Sequence, residues 1–209
     1  MQWSEQMSKR ESLSKSGLGA DIYAAVDAGD IDSDEAALMV SLFLFGGVDT
    51  TITTLANGIK NLLDNPEQWE LLKADPTLVK DVFEEALRFN IPVQQSYRSI
   101  VRDAVVEGVR VEAGKRIGFS YAAANRDPAR FPDPDRFDIQ RKAAGHFGFG
   151  FGIHACAGQM IARLEGHALY AALVRRISTL ELTAKPQRWI SGGLASWKTL
   201  PVAVKPKAN

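Results

Sequence analysis

The sequence is short of the features that mark secreted, membrane-bound or nucleic-acid-binding proteins. It contains 1 cysteine in 209 residues, which excludes an internal disulfide and is typical of a reducing cytosol. Lysine and arginine together number 25, as do aspartate and glutamate, so no net charge favours nucleic acid or an anionic membrane. The longest nearly unbroken apolar run, residues 36–48, is shorter than the roughly 18 residues of a transmembrane helix. Because residues 1–5 also lack an apolar signal core, we expect a cytoplasmic protein that binds neither membrane nor nucleic acid.

Apolar residues at helical spacing dominate the first part of the chain. They predict helices within residues 17–29, from Ser33 to about Asp64, from Pro66, and from Pro76 to a point before Pro92. Acidic residues favour the positive end of the long helix's dipole, and Ser33 can cap that helix. Residues 1–16 are polar without a clear apolar period, so we expect them to be poorly ordered.

The pattern changes after Pro92, where alternating apolar residues around glycine turns indicate short strands. Strands are predicted at residues 105–106, 109–111, 117–119, 180–182 and 202–204, with a turn at residues 191–193. Residues 125–141 are dense in proline, aspartate and arginine and should be irregular, whereas residues 160–177 should again be helical. The predicted fold class is therefore mainly α with small β-sheets, an α+β arrangement.

The single cysteine lies in a glycine-rich loop that precedes a predicted helix. Gly150, Gly152 and Gly158 allow the backbone to pass close to a flat ligand. A cysteine at a helix N-terminus faces unpaired N–H groups and the positive end of the dipole, which favours its thiolate. Cys156 could therefore be a soft, anionic metal ligand, and the alternative is a buried cysteine that acts as a small apolar side chain.

Two other patterns have both a functional and a purely structural interpretation. Glu85 and Arg88 are three residues apart on a helix, where they could form a surface ion pair worth less than about 1 kcal/mol.

A pair of glycines beginning at Gly46 interrupts the long helix, and the Thr50 hydroxyl could turn onto the Gly46 carbonyl and open a groove. Asp49 beside that hydroxyl could relay protons. The alternative is a kink needed only for packing, with Asp49 in solvent.

Taken together, these motifs resemble those of the cytochrome P450 family. The matching segments are Gly46-Gly47-x-Asp49-Thr50-Thr51, Glu85-x-x-Arg88, Ala124-Asn125-Arg126-Asp127-Pro128, Pro134-Asp135-Arg136-Phe137, Phe149-x-x-Gly152-x-x-x-Cys156-x-Gly158 and Ala162-Arg163-Leu164-Glu165. Their order and spacing fit the family, so the chain is identified as a member of it. The resemblance implies a partial domain over residues 1–209, from about the family's G and H helices onward, of the bacterial soluble type.

The resemblance also implies haem b, iron protoporphyrin IX, as the cofactor. Cys156 would be the axial thiolate ligand of the iron. The other haem-binding residues would be Arg98, Phe149, Gly150, Gly152, His154 and Gly158. Among them, Arg98 and His154 would bind the propionates, and Phe149 would pack under the ring near the sulfur.

Three further groups of residues have roles by the same resemblance. One would form a buried structural triad: Glu85, Arg88 and Arg136. A second would be catalytic, with Asp49 relaying protons and Thr50 holding hydrogen bonds at the activated oxygen. The third would line the substrate: Gly46, Val93 and Leu194.

The implied activity is that of a haem-thiolate monooxygenase, which inserts one oxygen atom of O2 into a small organic substrate by hydroxylation or O-demethylation. The segment Pro92-Val93-Gln94 resembles bacterial members that act on small aromatic acids. A ferredoxin-type donor with its reductase would supply electrons. The chain is about half a usual family member, so the apolar face of the long helix would lack part of its cover. The alternative is thus a truncated, non-catalytic fragment that does not stably bind haem.

Overall fold

The computed structural model describes residues 6–190 and 193–208, whose contacts group into one unit up to Asp49 and another from Thr50 onward. The α-helices in chain order are α1 (Leu18–Ala28), α2 (Ser33–Asp64), α3 (Pro66–Ala74), α4 (Val79–Phe89), α5 (Tyr121–Ala124) and α6 (Gln159–Arg176). The strands are β1 (Gln95–Ser99), β2 (Ala104–Val106), β3 (Val109–Val111), β4 (Arg116–Ser120), β5 (Ile177–Leu182), β6 (Gln187–Ile190), β7 (Ala195–Thr199) and β8 (Val202–Pro206). This mixture confirms the predicted fold class.

Helix α2 begins with a reciprocal cap in which Asp32 has the role predicted for Ser33. Ser33 is already the first helical residue. The Asp32 carboxylate accepts the N–H groups of Asp34 at 2.9 Å and Glu35 at 2.8 Å. The Glu35 carboxylate in turn accepts the Asp32 N–H at 3.0 Å. The expectation for Ser33 was therefore wrong by one position, since aspartate and serine in sequence are both good caps.

Length and composition alone would allow helix α2 to cross a membrane. One 18-residue window of it has a mean hydropathy of 1.6, and 22% of that window is buried. The apolar run at residues 36–48 is too short to predict a membrane span. An 18-residue window of the helix is longer than that run, because it also includes polar positions beside it. A long core helix of a soluble protein has the same composition, so this property is weak evidence for a membrane span.

The first unit is held together around helix α1. Ile22, Tyr23, Ala36 and Val40 form its buried apolar cluster. The Tyr23 hydroxyl donates to the Ser8 carbonyl at 3.0 Å. The poor order expected of residues 1–16 stays a prediction, and residues 1–5 lie outside the described part of the chain.

The strands of the second unit pair as four small antiparallel sheets: β1 with β4, β2 with β3, β5 with β8, and β6 with β7. Strands β1, β6 and β7 were not predicted, because their mixed polar composition lacks a clear alternation. Residues 191–192 of the predicted turn between β6 and β7 lie outside the described residues.

The core of the second unit lies among helices α2, α3, α4 and α6. Its buried residues include Leu62, Trp69, Phe83 and Tyr170. Helices α4 and α6 come close because Gly166 faces the Phe83 ring, and a Cβ at that glycine would lie 2.1 Å from the ring. This contact places helix α4, which bears Glu85 and Arg88, against the helix that follows residues 149–158, here called the cysteine loop.

Candidate functional site

Glu85 and Arg88 form a fully buried, bidentate ion pair rather than the surface pair that their spacing allowed. Arg88 Nε lies 2.7 Å from one carboxylate oxygen of Glu85, and its Nη2 lies 2.8 Å from the other. Both side chains are completely buried. Arg88 also donates to the carbonyl groups of Asn125, Pro134 and Arg136 at 3.0, 2.9 and 3.2 Å. The pair therefore anchors the irregular segment 125–141 to helix α4.

The second arginine at this pair is Arg141, and the predicted placement of the Arg136 side chain is wrong. Arg141 Nε lies 3.3 Å from Glu85 Oε1 with its side chain 11% exposed. The Arg136 side chain is 66% exposed and pairs with Asp138, so only its carbonyl contacts the buried site. The physical reason is the direction of the chain here, because the next residue, Phe137, turns its ring into the core.

A second carboxylate on helix α4, that of Glu84, binds residues on both sides of the cysteine loop. It accepts hydrogen bonds from Nε2 of His146 at 2.9 Å and from Nε of Arg163 at 2.7 Å. Nδ1 of His146 accepts the Gly148 N–H at 2.8 Å, so the ring proton lies on Nε2 and points to Glu84. Burial raises the pKa of Glu84, but the hydrogen bonds and charges of His146 and Arg163 outweigh it and lower the pKa to about 2. Sequence reasoning did not assign Glu84 and His146 to the site, although the Ala162-Arg163-Leu164-Glu165 motif pointed to Arg163.

The cysteine thiol is exposed, so the interpretation of Cys156 as a small buried apolar residue is wrong. Its backbone N–H donates to the Phe149 carbonyl at 2.8 Å, which closes the loop back on itself. Gly150 has a φ of +70°, and a Cβ there would lie 3.0 Å from the His154 carbonyl. Gly152 has a φ of +63° with open space where a Cβ would stand. The loop conformation therefore requires these two glycines.

The Phe149 ring packs beneath this loop among residues of helices α4 and α6. The Arg163 guanidinium lies 4.4 Å from the ring centroid, and the His146 ring lies 6.2 Å away. Phe83 approaches at 6.3 Å on the core side. The ring and the carbonyl of Phe149 thus connect the cysteine loop to the protein core.

The two predicted propionate ligands are exposed side chains. Arg98 lies on strand β1, where its guanidinium stacks 5.0 Å from the Phe119 ring and donates to the Tyr97 carbonyl at 2.9 Å. His154 ends the short 3-10 turn Gly152–His154. Their role at a haem stays a prediction.

Val93 and Leu194, two of the predicted substrate-lining residues, are brought together as an antiparallel bridge. The Ala195 N–H donates to the Pro92 carbonyl at 3.0 Å beside it. The catalytic residues lie within helix α2, where Asp49 is exposed and Thr50 is partly buried. Gly46 is exposed on the same helix, which is continuous over Ser33–Asp64, so the interruption expected at the glycine pair is not observed. The roles of these residues also stay predictions.

The residues of the cysteine loop fit a large flat ligand that brings its own metal. The described part of the chain holds no group of three or more histidine, cysteine or acidic side chains that could bind a metal ion. A single thiolate such as that of Cys156 suits a metal whose other ligands come from an organic ring, as in haem. Large apolar side chains near it in sequence are exposed, among them Phe151, Ile153, Met160 and Leu164. An exposed thiol with apolar neighbours is chemically suited to a haem.

Comparison with known proteins decides the family. The model of the family described as Cytochrome P450 matches residues 4–204. The chain belongs to the cytochrome P450 family. It is 40% identical over 198 residues to cytochrome p450 CYP199A2 of Rhodopseudomonas palustris, which covers 95% of this chain and 48% of that protein. It is 35% identical over 192 residues to a steroid C26-monooxygenase of Mycobacterium tuberculosis, covering 88% of this chain and 47% of the relative.

Solved P450 structures agree with this assignment. The crystal structure of CYP108D1 from Novosphingobium aromaticivorans superposes with a TM-score of 0.88 at 32% identity, over 99% of this chain and 51% of that one. Some of the relatives carry the name monooxygenase, among them the steroid C26-monooxygenase and the P450 monooxygenase PikC of Streptomyces venezuelae. This chain spans about half the length of the curated relatives that it matches.

Proposed function

We propose that this chain supplies the haem-binding and proton-delivering residues of a bacterial haem-thiolate monooxygenase. The observation that carries the proposal is the exposed Cys156 thiol, set in a loop that is closed by the hydrogen bond from its own amide to Phe149. A loop held in this way orients the sulfur without burying it. The fully buried Glu85–Arg88 pair supports the same conclusion, because it anchors the segment that leads into the loop.

In this proposal the cysteine loop would hold haem b, and the Cys156 thiolate would bind its iron. Gly150, Gly152 and Gly158 let the ring approach the backbone, and the Phe149 ring packs near the sulfur. Arg98 and His154 would pair with the propionates, since both side chains are exposed and can donate hydrogen bonds. When bound, the haem would supply the activation of dioxygen, which a thiolate ligand such as Cys156 would favour.

The polar residues of helix α2 handle the protons. Asp49 is exposed to solvent, and its proposed role is to pass a proton from there to Thr50. The hydroxyl of the adjacent Thr50 both donates and accepts, so it can hold that proton at the oxygen-binding groove. One oxygen atom enters a substrate C–H bond and the other leaves as water, at the expense of two electrons and two protons. A ferredoxin-type donor with its reductase supplies the electrons.

The proposed substrate is a small organic molecule, with an aromatic acid favoured by the segment Pro92-Val93-Gln94. Hydroxylation and O-demethylation are the two reactions expected of it. Val93 and Leu194, which are bridged to each other, are substrate-lining residues in this proposal, as is Gly46. The enzyme acts in the cytoplasm without a membrane or nucleic-acid partner.

A hemin titration of the purified chain tests this proposal. After reduction and addition of carbon monoxide, the loaded chain should show the strongly red-shifted Soret band of thiolate-ligated haem. Cys156→Ser should lose that band. Thr50→Ala should keep it, but should consume reductant without forming an equivalent amount of product in an enzyme that turns over.

Two outcomes contradict the haem-binding part of the proposal, and a third contradicts the proton-delivering part. A chain that stays colourless after hemin is supplied would be the non-catalytic fragment. A chain in which Cys156→Ser keeps the red-shifted band would bind haem through some other residue. Unchanged coupling in Thr50→Ala would contradict the proton role of Thr50 alone.

A further inference from the structure

Glu84 connects the two chain segments that flank the cysteine loop. His146 precedes the loop, and its Nε2 donates a hydrogen bond to Glu84 Oε2 at 2.9 Å. Arg163 lies in the helix after the loop. Its Nε donates to Glu84 Oε1 at 2.7 Å and its Nη2 to Oε2 at 3.2 Å. One carboxylate therefore ties the entry and the exit of the loop to helix α4.

Each partner of Glu84 passes this restraint into the loop. On the entry side, Nδ1 of His146 accepts a hydrogen bond from the Gly148 N–H at 2.8 Å. On the exit side, the Arg163 guanidinium covers the Phe149 ring at 4.4 Å. The carbonyl of Phe149 then accepts the Cys156 N–H at 2.8 Å.

Arg163 also acts on the loop by a second route. Its Nη1 donates to the side-chain oxygen of Gln159 at 2.9 Å. The N–H of Gln159 points to the Cys156 carbonyl at 3.4 Å. The backbone of Cys156 is thus restrained through its N–H by Phe149 and through its carbonyl by Gln159.

We propose that Glu84 is the positioning residue of the cysteine loop and fixes the direction of the Cys156 sulfur through His146 and Arg163. The side chain is 23% exposed, so its ionic hydrogen bonds are only partly screened by solvent. Its neighbour Glu85 performs a different task, because that carboxylate binds Arg88 and Arg141 and anchors segment 125–141. The relevance of the sulfur's direction rests on the proposed haem function, whereas the restraint itself does not.

The first experiment uses the chain without haem and compares Glu84→Gln with Glu70→Gln. The control removes the same charge from a carboxylate that is 67% exposed and pairs only locally with Lys73. Loss of a charge-assisted hydrogen bond should accelerate exchange of the Gly148 and Cys156 amide hydrogens about tenfold or more, as measured by NMR. Glu70→Gln should leave both rates unchanged. Equal exchange in Glu84→Gln and the wild-type chain would overturn the proposal.

A second experiment tests the consequence for the sulfur in the haem-loaded chain. In Glu84→Gln, part of the red-shifted Soret band should move to the shorter wavelength of a neutral thiol ligand. His146→Leu should do the same, and His146→Gln, which keeps a donor toward Glu84, should recover most of the thiolate band. A change of overall stability alone would not separate these two histidine variants. Identical spectra for both would overturn the proposal.

The two experiments also separate this proposal from the haem function. If the wild-type chain binds no hemin, the haem function fails while amide exchange still decides the role of Glu84. If Glu84→Gln does not fold, Arg163→Lys takes its place, because it keeps the charge but loses the two-pronged contact. Faster exchange of Cys156 in that variant would support the proposal, and unchanged exchange would overturn it.

Discussion

Arg141 Nε lies 3.3 Å from Glu85 Oε1, so the arginine that joins the buried pair comes from the end of the irregular segment. Arg141 Nη2 also donates to the carbonyl groups of Asp133 at 2.9 Å and Arg136 at 3.3 Å. Its guanidinium therefore holds the turn of this segment and the carboxylate of helix α4 together. The Arg136 carbonyl accepts a hydrogen bond from Arg88 at the same site, whereas the Arg136 side chain is mostly exposed to solvent.

Arg141 and Arg136 form a matched pair of test positions. Arg141→Leu should lower the free energy of unfolding by about 1–3 kcal/mol, because it removes a charged donor from the fully buried Glu85 carboxylate. Arg136→Leu should change it by no more than about 0.5 kcal/mol, since its side chain is mostly in solvent. Urea denaturation of both variants measures the difference. Equal losses would contradict the assignment of Arg141.

The buried Glu85–Arg88 pair should be the most sensitive polar contact in the described residues. Arg88→Met would leave a carboxylate with no exposure beside only one remaining arginine, and three carbonyl groups would lose a donor. We expect a loss of about 3–5 kcal/mol in the free energy of unfolding. In the double variant with Glu85→Gln, the loss should be smaller than the sum of the single losses, because the stranded charge is gone. Additive losses in urea denaturation would show that the two side chains act independently.

Gly58 marks a close approach of helices α2 and α6. A Cβ at this position would stand 1.9 Å from the Tyr170 hydroxyl and 3.2 Å from the Ala86 Cβ. Gly58→Ala should therefore lower the free energy of unfolding by about 2–3 kcal/mol. Gly47→Ala on the same helix is the control, since nothing lies within 4 Å of its Cβ position, and the higher helix propensity of alanine should raise stability by about 0.5–1 kcal/mol. Thermal unfolding that ranks the two variants in the opposite order would contradict this packing.

The low pKa of Glu84 makes stability depend on pH in acid. Its pKa in the folded chain is about 2, below the ordinary value of 4.5, so the folded state binds this proton less readily than the unfolded state does. The resulting stabilisation is fully present above about pH 5 and is lost as the pH falls toward 2. It amounts to about 3 kcal/mol at most, because one pKa unit corresponds to about 1.4 kcal/mol.

Denaturation curves of the wild-type chain and Glu84→Gln, recorded at several values between about pH 5 and pH 2, measure this contribution. The wild-type chain should lose stability faster than the variant as the pH falls. Parallel pH profiles would show that Glu84 is not the residue responsible.

Local structure was predictable where the causes are local. The apolar period and the acidic first turn of helix α2 predicted its bounds from Ser33 to Asp64, which the structure confirms. Strands β6 and β7 escaped prediction because pairing with a distant partner, rather than their own composition, makes them strands. The cap of helix α2 moved from Ser33 to Asp32 because both residues are suitable and only the backbone path selects between them.

The sequence by itself determined the family, the long helix and the residue types of the site. These follow from which residue types stand at fixed spacings along the chain, as in the motifs around Glu85, Arg88 and Cys156. Only the tertiary structure decided that the ion pair is fully buried, that Arg141 joins it, and that Glu84 binds His146 and Arg163. The physical reason is that the groups that surround Glu84, Glu85 and Arg88 come from segments far along the chain. Which side chain reaches a buried charge depends on how the irregular segment folds onto helix α4, and the motifs do not encode that path.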